Sequence, residues 1–341
     1  MTDRYSRQVL FPGIGRSGQA ALQKKNVLII GAGALGAANA EMIVRAGIGR
    51  VTIVDRDYVD FSNLHRQNLY TEQDAIDRMP KAEAARKRLT AINSNVIISA
   101  FTQDVDAAFL EHIIIEEKID LIIDGTDNFD IRFVINDVAQ KYHVPWVYGA
   151  CVASGGLSMF VLPGKTPCLH CLMDTMPGAG ATCDTAGIIS PAVQMTASIQ
   201  TTEALKWLTG STDTLRGTIF SFDLWKNQFS SVDVQRMKKP DCPSCGAHPI
   251  YPFLSYEHTT KFAVLCGRDT VQIRPAGISK RNLGELAEHV RNTAAITHQN
   301  GFLLSFQQEP YTVTAFGDGR IFIQGVSSIE ESKKVYYHYF Q

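Results

Sequence analysis

The stretch that decides the fold reads Val27-Leu28-Ile29-Ile30-Gly31-Ala32-Gly33-Ala34-Leu35-Gly36 and, after a helix of small residues, Val51-Thr52-Ile53-Val54-Asp55. Apolar strand, glycine turn, helix and second strand with an acid at its end are typical of a nucleotide-binding unit. Phosphates can bind the free N–H groups of the helix N-terminus, so the candidate contacts are Gly31, Gly33, Ala34 and Gly36. Asp55 can hold a ribose hydroxyl. This stretch alone indicates an adenine nucleotide; the alternative is a buried βαβ unit without a ligand.

Length and composition exclude several classes of protein. The chain has 341 residues, which favours a large α/β domain and a smaller second one. A net charge of −1 gives no electrostatic reason to expect nucleic acid or an anionic membrane as partner. No run approaches the roughly 18 apolar residues of a membrane span, and the amino terminus lacks a signal-peptide core, so a cytoplasmic protein is predicted. In that compartment its seven cysteines indicate metal binding or catalysis before disulfides.

Strands and helices alternate through the first half of the chain. This pattern predicts an α/β fold with a Rossmann-like, mostly parallel sheet and a ligand at the carboxyl ends of its strands. Asp55, Asp124 and Asp127 all fall at such ends. From Gly156 the pattern changes to alternating strands, which should extend the sheet in antiparallel fashion. We expect one domain over residues 1–250 and a small α+β domain over residues 251–341.

A specific set of motifs follows Asp55: Asp57, then Ser62-Asn63-Leu64-His65-Arg66, then Lys81, then Asp124-Gly125-Thr126-Asp127-Asn128. In order and spacing, over roughly residues 4–250, the chain resembles the E1-like adenylyltransferases of the ThiF, MoeB and HesA family. The resemblance implies ATP-dependent adenylation of the C-terminal glycine of a ubiquitin-like sulfur carrier of ThiS or MoaD type. Acyl-AMP and pyrophosphate would form ahead of thiocarboxylate formation in thiamine-thiazole or molybdopterin cofactor biosynthesis. A separate sulfur donor, such as a cysteine desulfurase, is expected.

The resemblance also implies roles for single residues. Arg66 and Lys81 would bind the phosphates with Ser62 and Asn63, and Asp127 would hold Mg²⁺, which prefers carboxylate and phosphate oxygens. Arg7 would reach across a homodimer interface to the partner's nucleotide. The other nucleotide contacts would be Asp57, Leu64, His65 and Asn128. Asp124 can support the ion through water or cap the next turn, and we favour the cap.

Two cysteine pairs, Cys168-Leu169-His170-Cys171 and Cys242-Pro243-Ser244-Cys245, have the spacing of a structural Cys₄ zinc site. His170 is expected to be a bystander, since four thiolates satisfy the metal. Cys183 is open between two interpretations: a nucleophile that forms a covalent adduct with the carrier, as in some ThiF-type proteins, or an inert thiol on a small-residue loop.

Two other functions stay possible at this stage. The glycine turn also suits an NAD-dependent oxidoreductase, and some E1 relatives are non-catalytic carrier-binding scaffolds. Retention of Arg66, Lys81 and Asp127 argues against the scaffold. Neither the choice between the two pathways nor the role of the C-terminal domain follows from the sequence, although Cys183 slightly favours the ThiF side.

Overall fold

The computed structural model describes residues 3–127, 129–172, 186–254, 261–265, 270–275, 280–291, 293–326 and 328–340. The chain divides into two compact units, Met1–Tyr256 and Glu257–Gln341. This division lies close to the change of pattern expected at residues 250 and 251. None of the helices within these ranges combines the length and the apolar character needed to cross a membrane.

The first unit is built on an eight-stranded sheet with the order β3-β2-β1-β4-β5-β6-β7-β8. The first five strands are parallel, and β6, β7 and β8 are antiparallel additions at one side. The strands are β1 (Asn26–Ile30), β2 (Arg50–Val54), β3 (Ile97–Phe101), β4 (Leu121–Asp124), β5 (Trp146–Val152), β6 (Gly155–Val161), β7 (Thr218–Asp223) and β8 (Gln228–Asp233).

Helices cover both faces of this sheet. They are α1 (Gly15–Leu22), α2 (Ala34–Ala46), α3 (Glu72–Ile76), α4 (Lys81–Ile92), α5 (Ala107–Glu117), α6 (Phe129–Tyr142), α7 (Leu169–Leu172) and α8 (Ser190–Thr209). Strand β1 reads as a continuous apolar run because both of its faces are covered. Val27 and Ile29 pack into one core with α2, α4 and α8, whereas Leu28 and Ile30 pack into the opposite core with α5 and α6.

The position of β1 between β2 and β4 creates the cleft. The chain passes from β1 to β2 on one side and later returns to β4 on the other, so the loops after these strands separate at the carboxyl edge. Ile30 lies opposite both Val54 and Asp124 in the register. The glycine turn, Asp55 and the turn after β4 therefore meet at one edge.

Helix α8 fixes the back of this cleft. Gln200 is fully buried and donates through its side-chain amide to the carbonyls of Asp124 and Val147, at 2.8 and 3.2 Å. Its side-chain oxygen accepts from Asn39 of α2 at 2.8 Å. One glutamine thus connects α8, α2 and two central strands.

The second unit contains a six-stranded antiparallel sheet with the order β11-β12-β13-β14-β10-β9. Apolar residues from one face of the sheet form a core with its two helices, as Ile273, Leu286 and Val335 illustrate. Its elements are β9 (Lys261–Leu265), β10 (Thr270–Arg274), α9 (Leu283–Val290), β11 (Ala295–Gln299), β12 (Leu303–Gln308), β13 (Tyr311–Phe316), β14 (Ile321–Gln324) and α10 (Ile329–Phe340). The predicted fold class, a mostly parallel sheet with an antiparallel extension and a small α+β unit, is confirmed.

Candidate functional site

The glycine turn is held by close backbone approaches. Gly31 has a φ of +86°, and a Cβ placed there would lie 2.6 Å from the carbonyl oxygen of Gly125. A Cβ on Gly36 would lie 1.7 Å from the carbonyl oxygen of Gly31, so both positions require glycine. Gly33 precedes the first residue of α2, Ala34, and a Cβ there would meet open space among the described residues. The N-terminus of α2 is therefore accessible to a ligand.

Ala32, within this turn, is held through both of its backbone groups. Its N–H donates to Oδ2 of Asp55 at 2.6 Å, and its carbonyl accepts from the hydroxyl of Tyr70 at 2.5 Å. The other carboxylate oxygen of Asp55 accepts from the N–H of Asp57 at 2.6 Å. Burial raises the pKa of Asp55, against the attraction of Lys81. Asp55 thus organises the turn, and its predicted contact with a ribose stays a prediction.

Lys81 is the first residue of α4 and is buried. Its ammonium lies 2.8 Å from Oδ2 of Asp57, and its N–H donates to the carbonyl of Asp57 at 2.9 Å. Lys81 is also close enough to Asp55 to oppose the rise of its pKa. The structure therefore brings the predicted lysine to the loop that follows β2.

A short 3-10 helix presents the segment from Ser62 to Arg66. Asp60 caps this helix by accepting from the N–H of Ser62 at 2.8 Å, and Oδ1 of Asn63 accepts from the N–H of Asp60 at 3.3 Å. Asn63 is buried and takes part in this cap, and its predicted contact with the phosphates stays a prediction.

The remaining residues of this segment differ in exposure. Nη1 of Arg66 donates to the carbonyl of Ser62 at 2.9 Å, and Nδ1 of His65 lies 3.1 Å from the same oxygen. Ser62 and His65 are exposed, Arg66 is half-buried, and Leu64 packs against the main core. Arg66 therefore keeps guanidinium donors beyond the single one that Ser62 accepts.

Asp124 caps the turn after β4, as the sequence-based interpretation preferred. Its Oδ1 accepts from the N–H and hydroxyl of Thr126 at 2.9 and 2.6 Å. Its Oδ2 lies 2.9 Å from Nε of Arg132, and Nη2 of Arg132 donates to the carbonyls of Thr126 and Gly149. Arg132 was not singled out from the sequence, yet this buried ion pair fixes the backbone that leads to Asp127.

Asp127 is exposed at the carboxyl edge of the sheet. Its negative charge acts on Arg56. Burial lowers the pKa of the Arg56 guanidinium, but the net pKa is raised by nearby carboxylates, those of Asp104, Asp127, Asp57 and Asp55. Asp104 lies 3.5 Å from this guanidinium. Asp127 is exposed and therefore accessible to a ligand, and its predicted contact with Mg²⁺ stays a prediction. Sequence analysis did not single out Arg56, although its position between Asp55 and Asp57 was a usable signal.

Three other predicted residues need separate statements. Asn128 and Cys183 lie outside the described residues. Arg7 is exposed, and within the part of the chain that the structure describes it makes no hydrogen bond or ion pair through its side chain. Its contact across a dimer interface stays a prediction.

The four predicted zinc ligands form one cluster. The sulfurs of Cys168, Cys171, Cys242 and Cys245 all lie within 4.8 Å of one another, with individual separations of 3.4, 3.6 and 3.9 Å. Tetrahedral Zn–S bonds of about 2.3 Å place sulfurs about 3.8 Å apart, so the cluster fits zinc. Hydrogen bonds among these sulfurs lower the pKa of the Cys171 thiol and raise the pKa of Cys168 and Cys245, so the groups titrate together.

The surroundings of the cluster explain its local fold. Gly246 follows the second pair, and a Cβ there would lie 2.6 Å from the carbonyls of Cys242 and Pro240, so the tight turn requires glycine. His170 is not among the clustered groups; its ring packs edge-on against Phe133 and Phe253. This position agrees with the expectation that His170 is a bystander, which stays a prediction.

Residues 5–244 match the model of the ThiF family. The chain belongs to the ThiF family. The matched range holds the glycine turn, the Asp57–Lys81 pair, Asp127 and three of the four clustered cysteines. The family predicted from the motifs is therefore confirmed.

Relatives within the ThiF family differ in how much of this chain they cover. The sulfur carrier protein ThiS adenylyltransferase of Bacillus subtilis is 50% identical over 337 residues, 99% of each chain. The sulfur carrier protein adenylyltransferase of Thermus thermophilus is 37% identical and covers 72% of this chain and 92% of its own. The molybdopterin-synthase adenylyltransferase of Escherichia coli is 36% identical and covers 71% of this chain and 96% of its own.

Solved structures support the fold of the ThiF-family part. Escherichia coli MccB with ATP superimposes with a TM-score of 0.61 at 20% identity, over 72% of this chain and 74% of that one. At this identity the similarity establishes the fold alone.

Proposed function

We propose that this protein uses ATP to adenylate the C-terminal glycine carboxylate of a ubiquitin-like sulfur carrier of ThiS type. The observation that carries the proposal is the meeting, at one sheet edge, of an accessible helix N-terminus, Lys81 and Asp127 in a ThiF-family chain. Support for a carrier of ThiS type comes from the ThiS adenylyltransferase relative, whose similarity extends through the second unit. The molybdopterin-synthase relative covers only about the ThiF-family part.

The reaction needs charge stabilisation more than proton transfer. A carboxylate oxygen of the terminal glycine attacks the α-phosphorus, the bond to the bridging oxygen breaks, and pyrophosphate leaves with that electron pair. The carboxylate is already ionised at neutral pH, so no general base is required. The difficulty is bringing an anion to a polyanion, which costs about 4 kcal/mol per pair of unit charges at about 4 Å and an effective dielectric near 20. Cationic and N–H groups fixed in the cleft offset this repulsion.

We assign the phosphates to the N-terminus of α2 at Gly33 and Ala34, with Gly31 and Gly36 shaping the turn. Lys81 and Arg66 supply positive charge. Ser62 and Asn63 belong to the same assignment; in the structure the hydroxyl of Ser62 donates to Oδ1 of Asp60 at 2.6 Å, so it would have to turn to reach a phosphate. Asp57 holds the ammonium of Lys81 at 2.8 Å, so the cation needs little further ordering when a phosphate arrives. Asp55, Leu64 and His65 would line the nucleoside side.

Asp127 is assigned to magnesium. When bound there, Mg²⁺ would neutralise phosphate charge as a Lewis acid. The residues of this chain prepare the position: Arg132 and Asp124 fix the turn, and Asp127 projects from it into an exposed edge. Asn128, its neighbour in the sequence, is included in the same proposal.

Further parts of the proposal concern the assembly. Arg7 would complete the partner's nucleotide site in a homodimer, consistent with its exposure. Zinc at the four cysteines would be structural, since four sulfurs close the site. A cytoplasmic location and a separate sulfur donor such as a cysteine desulfurase belong to the same proposal. Cys183 is either the site of a covalent carrier adduct or inert, and Cys183→Ala decides between them: adenylation survives in both cases, and an adduct disappears only in the first.

ATP–pyrophosphate exchange with added carrier tests the proposal. We expect exchange that requires a ThiS-type carrier with an intact C-terminal glycine and that is weaker with a MoaD-type carrier. Carriers that lack the terminal glycine provide the negative control. Absence of exchange with either carrier, together with oxidation or reduction that depends on NAD, would favour the oxidoreductase. Exchange in Lys81→Ala equal to that of the wild type would remove the assigned role of this lysine.

A further inference from the structure

Tyr70 controls the orientation of a peptide group in the glycine turn. Its hydroxyl donates to the carbonyl of Ala32 at 2.5 Å. A peptide group is planar and trans, so the carbonyl of Ala32 and the N–H of Gly33 belong to one rigid plane and point in opposite directions. Fixing the carbonyl on Tyr70 therefore directs the N–H of Gly33 away from Tyr70.

The preceding peptide plane is fixed in the same way. The N–H of Ala32 belongs to the Gly31–Ala32 peptide, and it donates to Oδ2 of Asp55 at 2.6 Å. Two successive planes of the turn thus have one external anchor each. The first N–H groups of α2 have no partner within the helix, and the anchored turn leads directly into them.

Tyr70 itself is held firmly. It is buried, with 7% of its surface exposed, and its N–H donates to the carbonyl of Gln67 at 3.2 Å. Helix α3 follows at once, and its capping box joins Thr71 and Asp74 through hydrogen bonds in both directions. The hydroxyl therefore approaches Ala32 from a well-ordered support.

The hydroxyl of Tyr70 keeps its proton at neutral pH and so stays a donor. Burial, with further contributions from Asp55, Asp57 and Asp74, raises the pKa of Tyr70 well above its ordinary value. Tyr70 does not act as an acid on the reacting atoms, because its hydroxyl proton is donated to the carbonyl of Ala32.

We propose that Tyr70 is a positioning residue for the nucleotide phosphates, acting through the Ala32–Gly33 peptide plane. This inference rests on the proposed function, because the anion that the N–H of Gly33 receives is a phosphate of ATP. A turn ordered before binding loses less entropy when the phosphate arrives. Without the hydroxyl, the plane can rotate and the N–H of Gly33 is no longer directed before binding.

Tyr70→Phe tests the inference, because it removes only the hydroxyl. We expect the KM for ATP to rise about two- to tenfold, the range of one hydrogen bond, while the KM for the carrier stays unchanged. Amide hydrogen exchange at buried Ala32, whose N–H donates to Asp55 in the adjoining peptide plane, should accelerate in the free protein, and this readout does not depend on activity. Tyr142→Phe is the matched control. The hydroxyl of Tyr142 lies at the C-terminal end of α6 and donates to the carboxylate of Glu111 at 3.3 Å.

Three results would separate the possibilities. An unchanged KM for ATP and unchanged amide exchange at Ala32 would overturn the inference. Equal increases in the KM for ATP and for the carrier, with a lowered Tm, would assign Tyr70 a general structural role and also overturn it. A wild-type protein without ATP–pyrophosphate exchange would count against the proposed function instead, and faster amide exchange at Ala32 in Tyr70→Phe would still support the anchoring of the turn.

Discussion

Lys81 and Asp57 are joined twice, by an ion pair of 2.8 Å and by a hydrogen bond of 2.9 Å from the N–H of Lys81 to the carbonyl of Asp57. Lys81 begins α4, and a positive charge at a helix N-terminus is opposed by the helix dipole. Asp57 offsets this opposition in the free protein. A bound phosphate would interact favourably with both the helix N-terminus and the ammonium, so the arrangement suits an anionic ligand.

Lys81→Met should reduce ATP–pyrophosphate exchange strongly. The loss of one charge-assisted hydrogen bond is worth about 1.5–3 kcal/mol, which corresponds to about a 10- to 150-fold decrease in kcat/KM for ATP. Lys141→Met is the matched control, because it removes an exposed ion pair of 2.6 Å with Glu111. Equal activity of the two variants would contradict a phosphate role for Lys81.

Asp127→Asn should abolish adenylate formation and leave the Tm within about 2 °C of the wild type. The residue is exposed, so the fold loses little, whereas the proposed magnesium ion loses a charged ligand. Pyrophosphate exchange at increasing Mg²⁺ is the measurement. Asp213→Asn, at another exposed acid of the same unit, should behave as the wild type. Activity of Asp127→Asn near the wild-type level would refute the metal role.

Cys242→Ser should lower both zinc content and stability. The substitution removes one of four converging sulfurs, and loss of a structural metal is among the changes that cost more than about 4 kcal/mol. Elemental analysis and thermal unfolding of the purified protein provide the two readouts. Cys151→Ser, which changes a cysteine outside the cluster, should keep its zinc. Equal metal content in the two variants would exclude a zinc site at Cys242.

Arg132→Leu should destabilise the first unit by about 3–5 kcal/mol, because it leaves the buried carboxylate of Asp124 without its counter-charge. Arg45→Leu breaks an exposed i,i+4 pair with Glu41 and should cost only about 0.3–0.5 kcal/mol. Urea unfolding of the two variants gives the comparison. A loss in Arg132→Leu as small as that in Arg45→Leu would show that the Asp124 carboxylate does not depend on this partner.

The pH dependence of stability should carry a contribution of unusual sign from Asp55. Burial raises its pKa above 3.8, so in this window the folded protein binds a proton that the unfolded chain has released. The contribution of Asp55 to the free energy of unfolding therefore falls as pH rises from 3.8 through the raised value and is constant above it. The free energy of unfolding of the wild type minus that of Asp55→Asn, measured by urea unfolding, should consequently decrease as pH rises over this window. A difference that grows with pH would indicate a lowered pKa.

Much of the site could be predicted because the signals were local. The run from Val27 to Ile30 is apolar throughout, which indicates a strand covered on both faces, and the glycines that follow leave few alternatives. The cysteine pairs were equally clear, since two short spacings suffice to name a tetrahedral site. The ThiF-family motifs then confirmed what the turn alone left open.

Residues that act through three-dimensional partners were missed. Arg132 and Tyr70 carry no distinctive spacing, and their importance appears only when the carboxylate of Asp124 and the carbonyl of Ala32 are located beside them. A buried charge or hydroxyl is recognised by its partner, and the partner is distant along the chain.

Secondary structure was missed where local preference and tertiary context disagree. Helix α5 contains the β-branched run Ile113-Ile114-Ile115, which obscures a helix, although Asp106 caps its start by accepting from the N–H of Phe109. Strand β11 has no apolar period, and it exists because it pairs with β12. Strand β10, in contrast, alternates apolar residues at Val271 and Ile273, so the sequence alone indicates a strand there.

The cysteine cluster has a consequence beyond its own surroundings. Cys171 and Cys242 lie on either side of α8 in the sequence, so a metal there cross-links the chain around the helix that presents Gln200 to the strands behind the cleft. Removal of the metal would therefore release a cross-link remote from the cleft while every residue assigned to the nucleotide stays in the chain.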